Sequence, residues 1–149
     1  MGIRARLIAL DRTEAKNAPR TREGAPEIDL DKAWHGIHYL LTGDAWGGKP
    51  PLGNAVLGGT EVGPDAGYGP ARLVSVEQVA ALAEALTPLT PDVFVTRFDA
   101  EALTEADIYP QIWDEGEEVL GYLKTVYGEL RDFYIGAAQR KDAVLVEVS

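Results

Sequence analysis

The sequence contains no cysteine, which excludes several kinds of chemistry together. Without thiols the chain can form no disulfide, no cysteine nucleophile, no iron–sulfur cluster and none of the usual structural zinc sites. A bound metal would need histidine, aspartate or glutamate as ligands, and the chain has only two histidines. The chemistry that remains open is therefore narrow.

Long hydrophobic runs are also missing. No stretch approaches the roughly 20 apolar residues that a membrane-spanning helix requires, and the start of the chain, MGIRARLIAL, has neither the apolar core nor the cleavage site of a signal peptide. A length of 149 residues fits one domain. We expect a soluble, cytoplasmic protein with one domain over residues 1–149 and no membrane partner.

Positive charge is scarce, since 14 basic residues face 24 acidic ones and the formal net charge is -10. A nucleic-acid surface needs a basic patch that replaces counterions, so we predict no nucleic-acid partner. Residues 92–118 carry nine acids against Arg97 alone. The simple interpretation of this stretch is solubility, and the alternative is a surface that attracts a basic partner protein.

Both histidines lie in the segment IDLDKAWHGIHYLLTG, residues 28–43. Asp29 is suited to cap the start of a helix and Gly43 to end it in a left-handed conformation, which predicts a helix of roughly three to four turns. The helical spacing predicts a buried apolar stripe made of Leu30, Trp34, Ile37 and Leu41.

Asp31, His35 and His38 form a second line beside that stripe at spacing i, i+4, i+7. Such a line could bind a metal or transfer a proton, because imidazole is a common ligand and titrates near neutrality. The plainer interpretation is a pair of half-buried histidines that donate to nearby carbonyls, with Asp31 favouring the helix N-terminus. Of the two, we favour the plainer interpretation.

Apolar patterns predict strands at residues 3–10 and 143–148, and two short strands near 60–62 and 71–74. In the first strand, one predicted face carries Ile3, Ala5, Leu7 and Ala9, and the other carries Arg4, Arg6, Ile8 and Leu10. Residues 11–27 show no pattern and are predicted to form a loop. Capping signals predict helices after Ser75, after Thr90 and at Asp99, and a short one from Pro51 to Leu57. Acidic residues from Asp114 onward predict the first turn of a long core helix ending at Gln139.

These elements predict a single α+β domain with a small mixed or antiparallel sheet packed against several helices. Residues 42–74 hold nine of the sixteen glycines and are the expected functional surface. Gly43, Gly48 and Lys49 match part of a phosphate-binding loop, but Pro50 stands where serine or threonine must bind magnesium. No G-x-S-x-G or H-E-x-x-H occurs, so we predict no catalytic residue, no cofactor and no metal.

Four blocks, IDLDKAWHGIHYLLTG, AVLGG, GYGPARLVSVEQV and DIYPQIW, resemble the YfbM-like family of uncharacterised bacterial proteins. The resemblance covers most of the chain from residue 28 onward and implies a small α+β domain with no assigned activity. The chain departs from the family pattern at residues 11–27, where relatives have a helix. The matching blocks single out Asp31, Lys32, Trp34, His35, His38, Gly58, Gly59, Tyr68, Arg72, Tyr109 and Trp113.

Arg72 follows a glycine-rich turn and could bind a carboxylate or phosphate through two parallel hydrogen bonds. Its simpler role is an internal salt bridge with Asp31 or Asp107. Two functions therefore stay open, of which we favour the first. The first is a non-catalytic protein-interaction domain, an adaptor or an inhibitor. The second is a small-molecule binding or hydrolytic domain, for which the candidate ligand-binding residues are Asp31, Trp34, His35, His38, Arg72 and Tyr109.

Overall fold

In the part of the chain that the structure describes, five strands form one antiparallel sheet in the order β2-β1-β5-β4-β3. The coordinates are a computed structural model that describes residues 3–10, 26–65 and 69–149. The strands are β1 (Ala5–Leu10), β2 (Glu27–Asp31), β3 (Thr60–Asp65), β4 (Pro70–Val74) and β5 (Ala143–Val148). The prediction of an α+β domain is confirmed, and of the two predicted sheet types the antiparallel one is present. The strand at the chain's start pairs along its whole length with the strand at its end.

Alternation along the strands separates two apolar faces, as predicted. On β1, Ala5, Leu7 and Ala9 lie in the main core together with Val144 and Val146 of β5. The opposite face carries a smaller buried cluster of Ile8, Leu10 and Leu145. Side chains alternate between the faces of a strand, and the helices of the described residues pack on the first set.

Five helices occur in the described part of the chain, together with a 3₁₀ turn at Leu52–Asn54. They are α1 (Trp34–Thr42), α2 (Val76–Leu86), α3 (Pro91–Val95), α4 (Ala100–Glu105) and α5 (Glu117–Arg140). None of the helices within these ranges is long and apolar enough to cross a membrane. The helix predicted from Pro51 to Leu57 is shorter than expected, because only the 3₁₀ turn forms.

The longest helix, α5, is the main core helix, as its periodicity predicted. Its buried stripe consists of Val119, Leu123, Val126, Tyr127, Leu130, Phe133, Tyr134 and Ala137. Within the core, the hydroxyl of Tyr127 donates to the carbonyl of Leu89 at 2.6 Å, and that of Tyr134 donates to Ala55 at 2.6 Å. The helix begins at Glu117, so Asp114 and Glu115 precede it instead of forming its first turn.

Local capping chemistry explains the starts of the shorter helices. Ser75 and Gln78 form the predicted capping box of α2, in which each side chain bonds to the other residue's backbone N–H. The side chains of Thr90 and Asp99 cap α3 and α4 by accepting from the backbone N–H three residues further on. These caps fix where the chain turns beneath the sheet.

The predicted start of α1, the helix that carries both histidines, was wrong. Asp29 lies in β2, not at a helix cap, and α1 begins only at Trp34 with no side-chain cap. The Oδ1 atom of Asp29 accepts instead from the backbone N–H of Asp31 at 2.7 Å. Gly43 does end the helix in a left-handed conformation, with φ 77°. The loop predicted for 11–27 falls mostly outside the described residues, and Glu27 belongs to a strand.

Charge on the first strand explains why residues 27–31 are extended. Arg4 pairs with Asp29 at 3.2 Å, and Arg6 pairs with Glu27 at 3.5 Å and with Glu147 at 2.6 Å. Oppositely charged neighbours on adjacent strands stabilise a sheet by roughly 0.2–1 kcal/mol for each pair. The alternation E-I-D-L-D thus turns acids toward the arginines of β1 and aliphatic residues toward the core.

Candidate functional site

A pocket of about 400 Å³ opens on the helix side of the sheet. It lies where the start of β1, the start of α1, the glycine-rich loop and the end of β5 meet. Its described lining residues come from six parts of the sequence: Ile3, Trp34, Trp46, Leu57, Arg72, Tyr109 and Val148. A volume in the range of small-molecule sites and a mostly apolar lining make this the leading candidate for a binding site.

Arg72 is the charged residue of this lining. It lies opposite Val146 in the β4–β5 register, and cross-strand partners share a face of the sheet, so Arg72 is on the same side as the main core. Its Nη1 donates to the carbonyl of Leu57 at 3.0 Å. The expected salt bridge with Asp31 or Asp107 is absent, and no carboxylate of residues 3–10, 26–65 or 69–149 pairs with this guanidinium.

Trp46 forms an exposed wall of the pocket, with 66% of its surface accessible. Its ring lies 4.4 Å from the ring of His35, which stacks in turn on Trp34 at 4.9 Å and an interplanar angle of 15°. The Oδ1 atom of Asp44 accepts from the backbone N–H groups of Gly47 at 2.9 Å and Trp46 at 3.0 Å. These bonds hold the loop in shape and lower the pKa of Asp44.

His35 lies behind the pocket wall, with 1% of its surface exposed. Its Nδ1 accepts from the backbone N–H of Tyr109 at 2.9 Å, so the proton of the neutral ring is on Nε2, which donates to Ala45 at 2.8 Å. Burial lowers its pKa. This ring therefore ties together the two chain segments that carry the aromatic walls, Trp46 and Tyr109.

His38 is one helical turn further along α1 and is fully buried. Its Nε2 donates to the carbonyl of Gly47 at 2.6 Å, while Nδ1 has no partner among the residues that the structure describes. Burial is the main cause that lowers the pKa of His38, with smaller effects in the same direction from His35 and then Arg72. Both histidines thus fix the loop from Ala45 to Gly47, as the plainer interpretation of the sequence proposed.

Asp31 lies away from the histidines, so the predicted line of three residues on one helix was wrong. It ends β2 with φ 52°, before the helix begins. Its Oδ2 accepts from the hydroxyl of Tyr122 at 2.9 Å, and its Oδ1 lies 3.4 Å from Arg4. Burial and this carboxylate raise the pKa of Tyr122 to about 12. Asp31 is not among the described residues that line the pocket.

The structure brings together three of the six candidate residues, Trp34, Arg72 and Tyr109, at the pocket. The sequence pointed to the glycine-rich segment but did not single out Trp46, although a tryptophan in such a loop is an available signal. Ile3, Leu57 and Val148 carried no signal, because they look like ordinary core residues. Tyr68, to which the resemblance pointed, lies outside the described residues.

Polar groups beside the pocket are partly used by the backbone. The hydroxyl oxygen of Tyr109 accepts from the N–H of Ile3 at 2.8 Å, and Nε1 of Trp34 donates to the carbonyl of Ile3 at 3.0 Å. These two bonds attach the residue preceding β1 to the aromatic wall. Nowhere in the described ranges do three histidine, aspartate or glutamate side chains group closely enough to bind a metal ion.

A second surface is formed by the acidic stretch. All nine carboxylates between residues 92 and 118 are exposed: Asp92, Asp99, Glu101, Glu105, Asp107, Asp114, Glu115, Glu117 and Glu118. One of them, Asp92, pairs with Lys124 at 2.6 Å, and the other eight make no ion pair with the described residues. Arg97, the cation in this stretch, donates to the carbonyl of Leu40.

Comparisons with known proteins agree with the fold. The sequence matches the family described as a domain of unknown function, DUF1877, over residues 2–147. No curated protein sequence matches it. Among solved structures it is similar to the crystal structure of YfbM from Escherichia coli, described as a protein of unknown function, with a TM-score of 0.75 and 21% identity over 98% of this chain and 99% of that chain. The YfbM-like resemblance is thereby confirmed, and this structural likeness concerns the fold alone.

Proposed function

The chain belongs to the DUF1877 family, and we propose that it is a binding protein whose pocket holds a small organic anion against Arg72 without catalysing a reaction. The observation that carries the proposal is an arginine on the core side of the sheet that makes no ion pair with a described carboxylate, not even with Glu61, which lies opposite it on β3. Arg72 is half-buried, and a guanidinium that is partly withdrawn from water is stabilised by a hydrogen-bonded counter-charge. An anionic ligand would supply the missing partner.

The pocket wall is held in place before any ligand arrives. His35 joins the two wall segments by hydrogen bonds to Ala45 and Tyr109, and Asp44 holds the turn that carries Trp46. A site whose side chains are already fixed loses less conformational entropy when a ligand binds. This rigidity supports binding as the role of the pocket and gives both histidines a supporting part in it.

The proposal is tested by ligand-induced stabilisation. A ligand present at about a hundred times its dissociation constant adds roughly 2.7 kcal/mol to the free energy of unfolding, which a thermal-shift screen of small carboxylates and phosphates detects. Hydrogen bonds to a charged group contribute about 1.5–3 kcal/mol. Arg72→Gln should therefore weaken binding about 10- to 100-fold.

Arg131→Gln is the matched control. Arg131 also donates to backbone carbonyls, those of Leu86 and Thr87, but it does not line the pocket. We expect this variant to keep the ligand-induced shift even if its unfolding temperature is lower. The proposal fails if anions stabilise the Arg72→Gln protein as well as the wild type, or if no anion in the screen stabilises the wild type.

The acidic surface supports a second candidate function, an adaptor or inhibitor that docks a basic partner protein. Eight exposed carboxylates without an ion pair among the described residues create a field that speeds association with a positively charged surface. The pocket proposal does not depend on this surface. The two functions are therefore separable by mutation.

Charge reversal tests the second candidate. The wild-type protein is used to capture partner proteins from cell extract at low salt. Changing Asp114, Glu115, Glu117 and Glu118 to lysine should abolish this capture. The control reverses four exposed acids elsewhere: Glu77, Glu84, Glu129 and Asp132. Both variants change the net charge equally, so equal loss of capture would mean that total charge, not this surface, attracts the partners.

A further inference from the structure

The side-chain hydrogen-bonding groups that stay open among the described lining residues are donors. Nε and Nη2 of Arg72 and the indole N–H of Trp46 have no partner among the described residues, and the Tyr109 oxygen accepts from Ile3 while its own hydrogen is free to donate. The carbonyls of Leu57 and Ile3 at the pocket already accept from Arg72 and Trp34. A ligand that fills this site must therefore present acceptors.

The hydrogen bond from Arg72 to Leu57 determines which acceptor group fits the guanidinium. Its Nη1 is used by Leu57, which leaves the edge formed by Nε and Nη2. That edge offers two parallel N–H groups at the spacing of the two oxygens of a carboxylate. A carboxylate carries one negative charge and balances one guanidinium, whereas a phosphate monoester carries about −1.5 to −2 near pH 7 and needs further cations.

The exposed face of Trp46 determines which kind of group, aromatic or aliphatic, is favoured in the rest of the ligand. One side of the indole is covered by His35 at 4.4 Å, yet 66% of the residue is accessible, so the other side is open. Aromatic rings in offset or tilted contact gain about 0.5–1.5 kcal/mol beyond the area they bury. Ring contact with Trp46 thus favours an aromatic body over an aliphatic one of the same size.

We propose, resting on the binding function above, that the pocket takes a small aromatic monocarboxylate that has no ammonium group beside the carboxylate. The carboxylate lies on the Nε–Nη2 edge of Arg72, and the ring lies against Trp46. An ammonium group would face the guanidinium and would find no carboxylate among the described lining residues. Aromatic amino acids are therefore rejected.

The test is isothermal titration of the full-length protein with four matched probes. They are 3-phenylpropanoate, its cyclohexyl analogue 3-cyclohexylpropanoate, its 2-amino derivative L-phenylalanine, and 2-phenylethyl phosphate. Probes of this size bind with micromolar to millimolar dissociation constants. We expect 3-phenylpropanoate to bind about 2- to 10-fold more tightly than the cyclohexyl analogue. The other two should bind at least about tenfold more weakly than 3-phenylpropanoate.

Trp46→Leu keeps an apolar side chain and removes the aromatic surface. In this variant the preference for phenyl over cyclohexyl should disappear, while both carboxylates still bind and Arg72→Gln still weakens both. Tighter binding of the phosphate, equal binding of L-phenylalanine, or an unchanged phenyl preference in Trp46→Leu overturns the ligand class while the binding function stands. Failure of both carboxylates to bind the wild type also overturns the ligand class. If no anion of the thermal-shift screen binds the wild type either, or if Arg72→Gln has no effect on the anions that bind, both proposals are overturned.

Discussion

Replacing His35 with phenylalanine removes two hydrogen bonds while keeping an aromatic ring between Trp34 and Trp46. The backbone N–H of Tyr109 loses its acceptor, and the carbonyl of Ala45 loses its donor. The ring itself is 1% exposed, so water does not reach its nitrogens in the folded protein. The substitution therefore tests the hydrogen bonds separately from the packing.

The expected cost follows from those two groups. A buried donor or acceptor left without a partner costs about 1–3 kcal/mol. Tyr109 and Ala45 are only partly buried, so water can restore part of each bond. We therefore expect His35→Phe to lower the free energy of unfolding by about 2–4 kcal/mol. That is a large share of the 5–15 kcal/mol typical of a whole domain.

His38→Phe on the same helix is the matched comparison. That substitution breaks one bond, to Gly47, and also removes a buried Nδ1 that has no partner within the described ranges. Its cost should be smaller, about 0–2 kcal/mol, because the second effect offsets part of the first. The difference between the two variants isolates the bond from Tyr109 to His35.

Urea unfolding near neutral pH, followed by tryptophan fluorescence, gives both free energies, and amide hydrogen exchange reports on Tyr109 directly. In His35→Phe the Tyr109 amide should exchange faster than in the wild type. If His35→Phe costs no more than His38→Phe, or if exchange of this amide is unchanged, His35 does not tie the pocket walls together. The account of a preorganised site would then be wrong.

Three further predictions follow. Burial lowers the pKa of His35 and His38 below about 6.5, so below that pH the unfolded chain binds more protons than the folded protein. The free energy of unfolding should therefore fall as the pH drops from about 6.5. A flat urea-unfolding profile between about pH 7 and 5 would contradict this prediction. Gly36→Ala should lower the free energy of unfolding by about 1–3 kcal/mol, since its Cβ would lie 2.5 Å from Trp113; an unchanged urea midpoint would mean that Trp113 moves aside freely. Ser75→Ala should lower the free energy of unfolding by about 1 kcal/mol, because the cap of α2 is lost. Ser149→Ala, at the exposed end of the chain, is the control and should leave the free energy of unfolding unchanged.

Elements whose causes are local could be predicted from the sequence. The strand at 143–148 follows from a short run rich in β-branched apolar residues, and the start of α2 follows from Ser75 and Gln78, whose side chains bond to each other's backbone N–H within one turn. Even the two faces of the first strand were predicted, because Ala5 and Leu7 alternate with Arg6 and Ile8 in a period of two. Such patterns need no knowledge of distant residues.

The prediction of where α1 starts failed for a non-local reason. Asp29 has the chemistry of a helix cap, but its carboxylate pairs with Arg4, a residue 25 positions earlier in the chain. Only the pairing of β1 with β2 makes the extended form of residues 27–31 preferable, and that pairing depends on sheet order. Propensity and capping signals are weak beside such tertiary contacts.

The pocket was beyond prediction for the same reason. Arg72 faces inward because β4 pairs with β5 in a register that sets it opposite Val146. Tyr109 reaches the pocket because its segment folds back onto α1, where its N–H meets His35, 74 residues away in sequence. The candidate residues could be named from blocks of sequence, but which of them share a cavity depends on contacts between distant segments.

The hydrogen bonds of the two histidines also bear on whether these rings could act in hydrolysis at the pocket. A general base must present an open ring nitrogen to the substrate. Both nitrogens of His35 bond to backbone groups, and His38, with Nδ1 open, is fully buried. Either ring could reach a ligand only if the loop from Ala45 to Gly47 detached, and that movement would also remove the Trp46 wall. These rings therefore cannot act as acid or base while the pocket is formed. This favours the proposal that the pocket binds a ligand at Arg72.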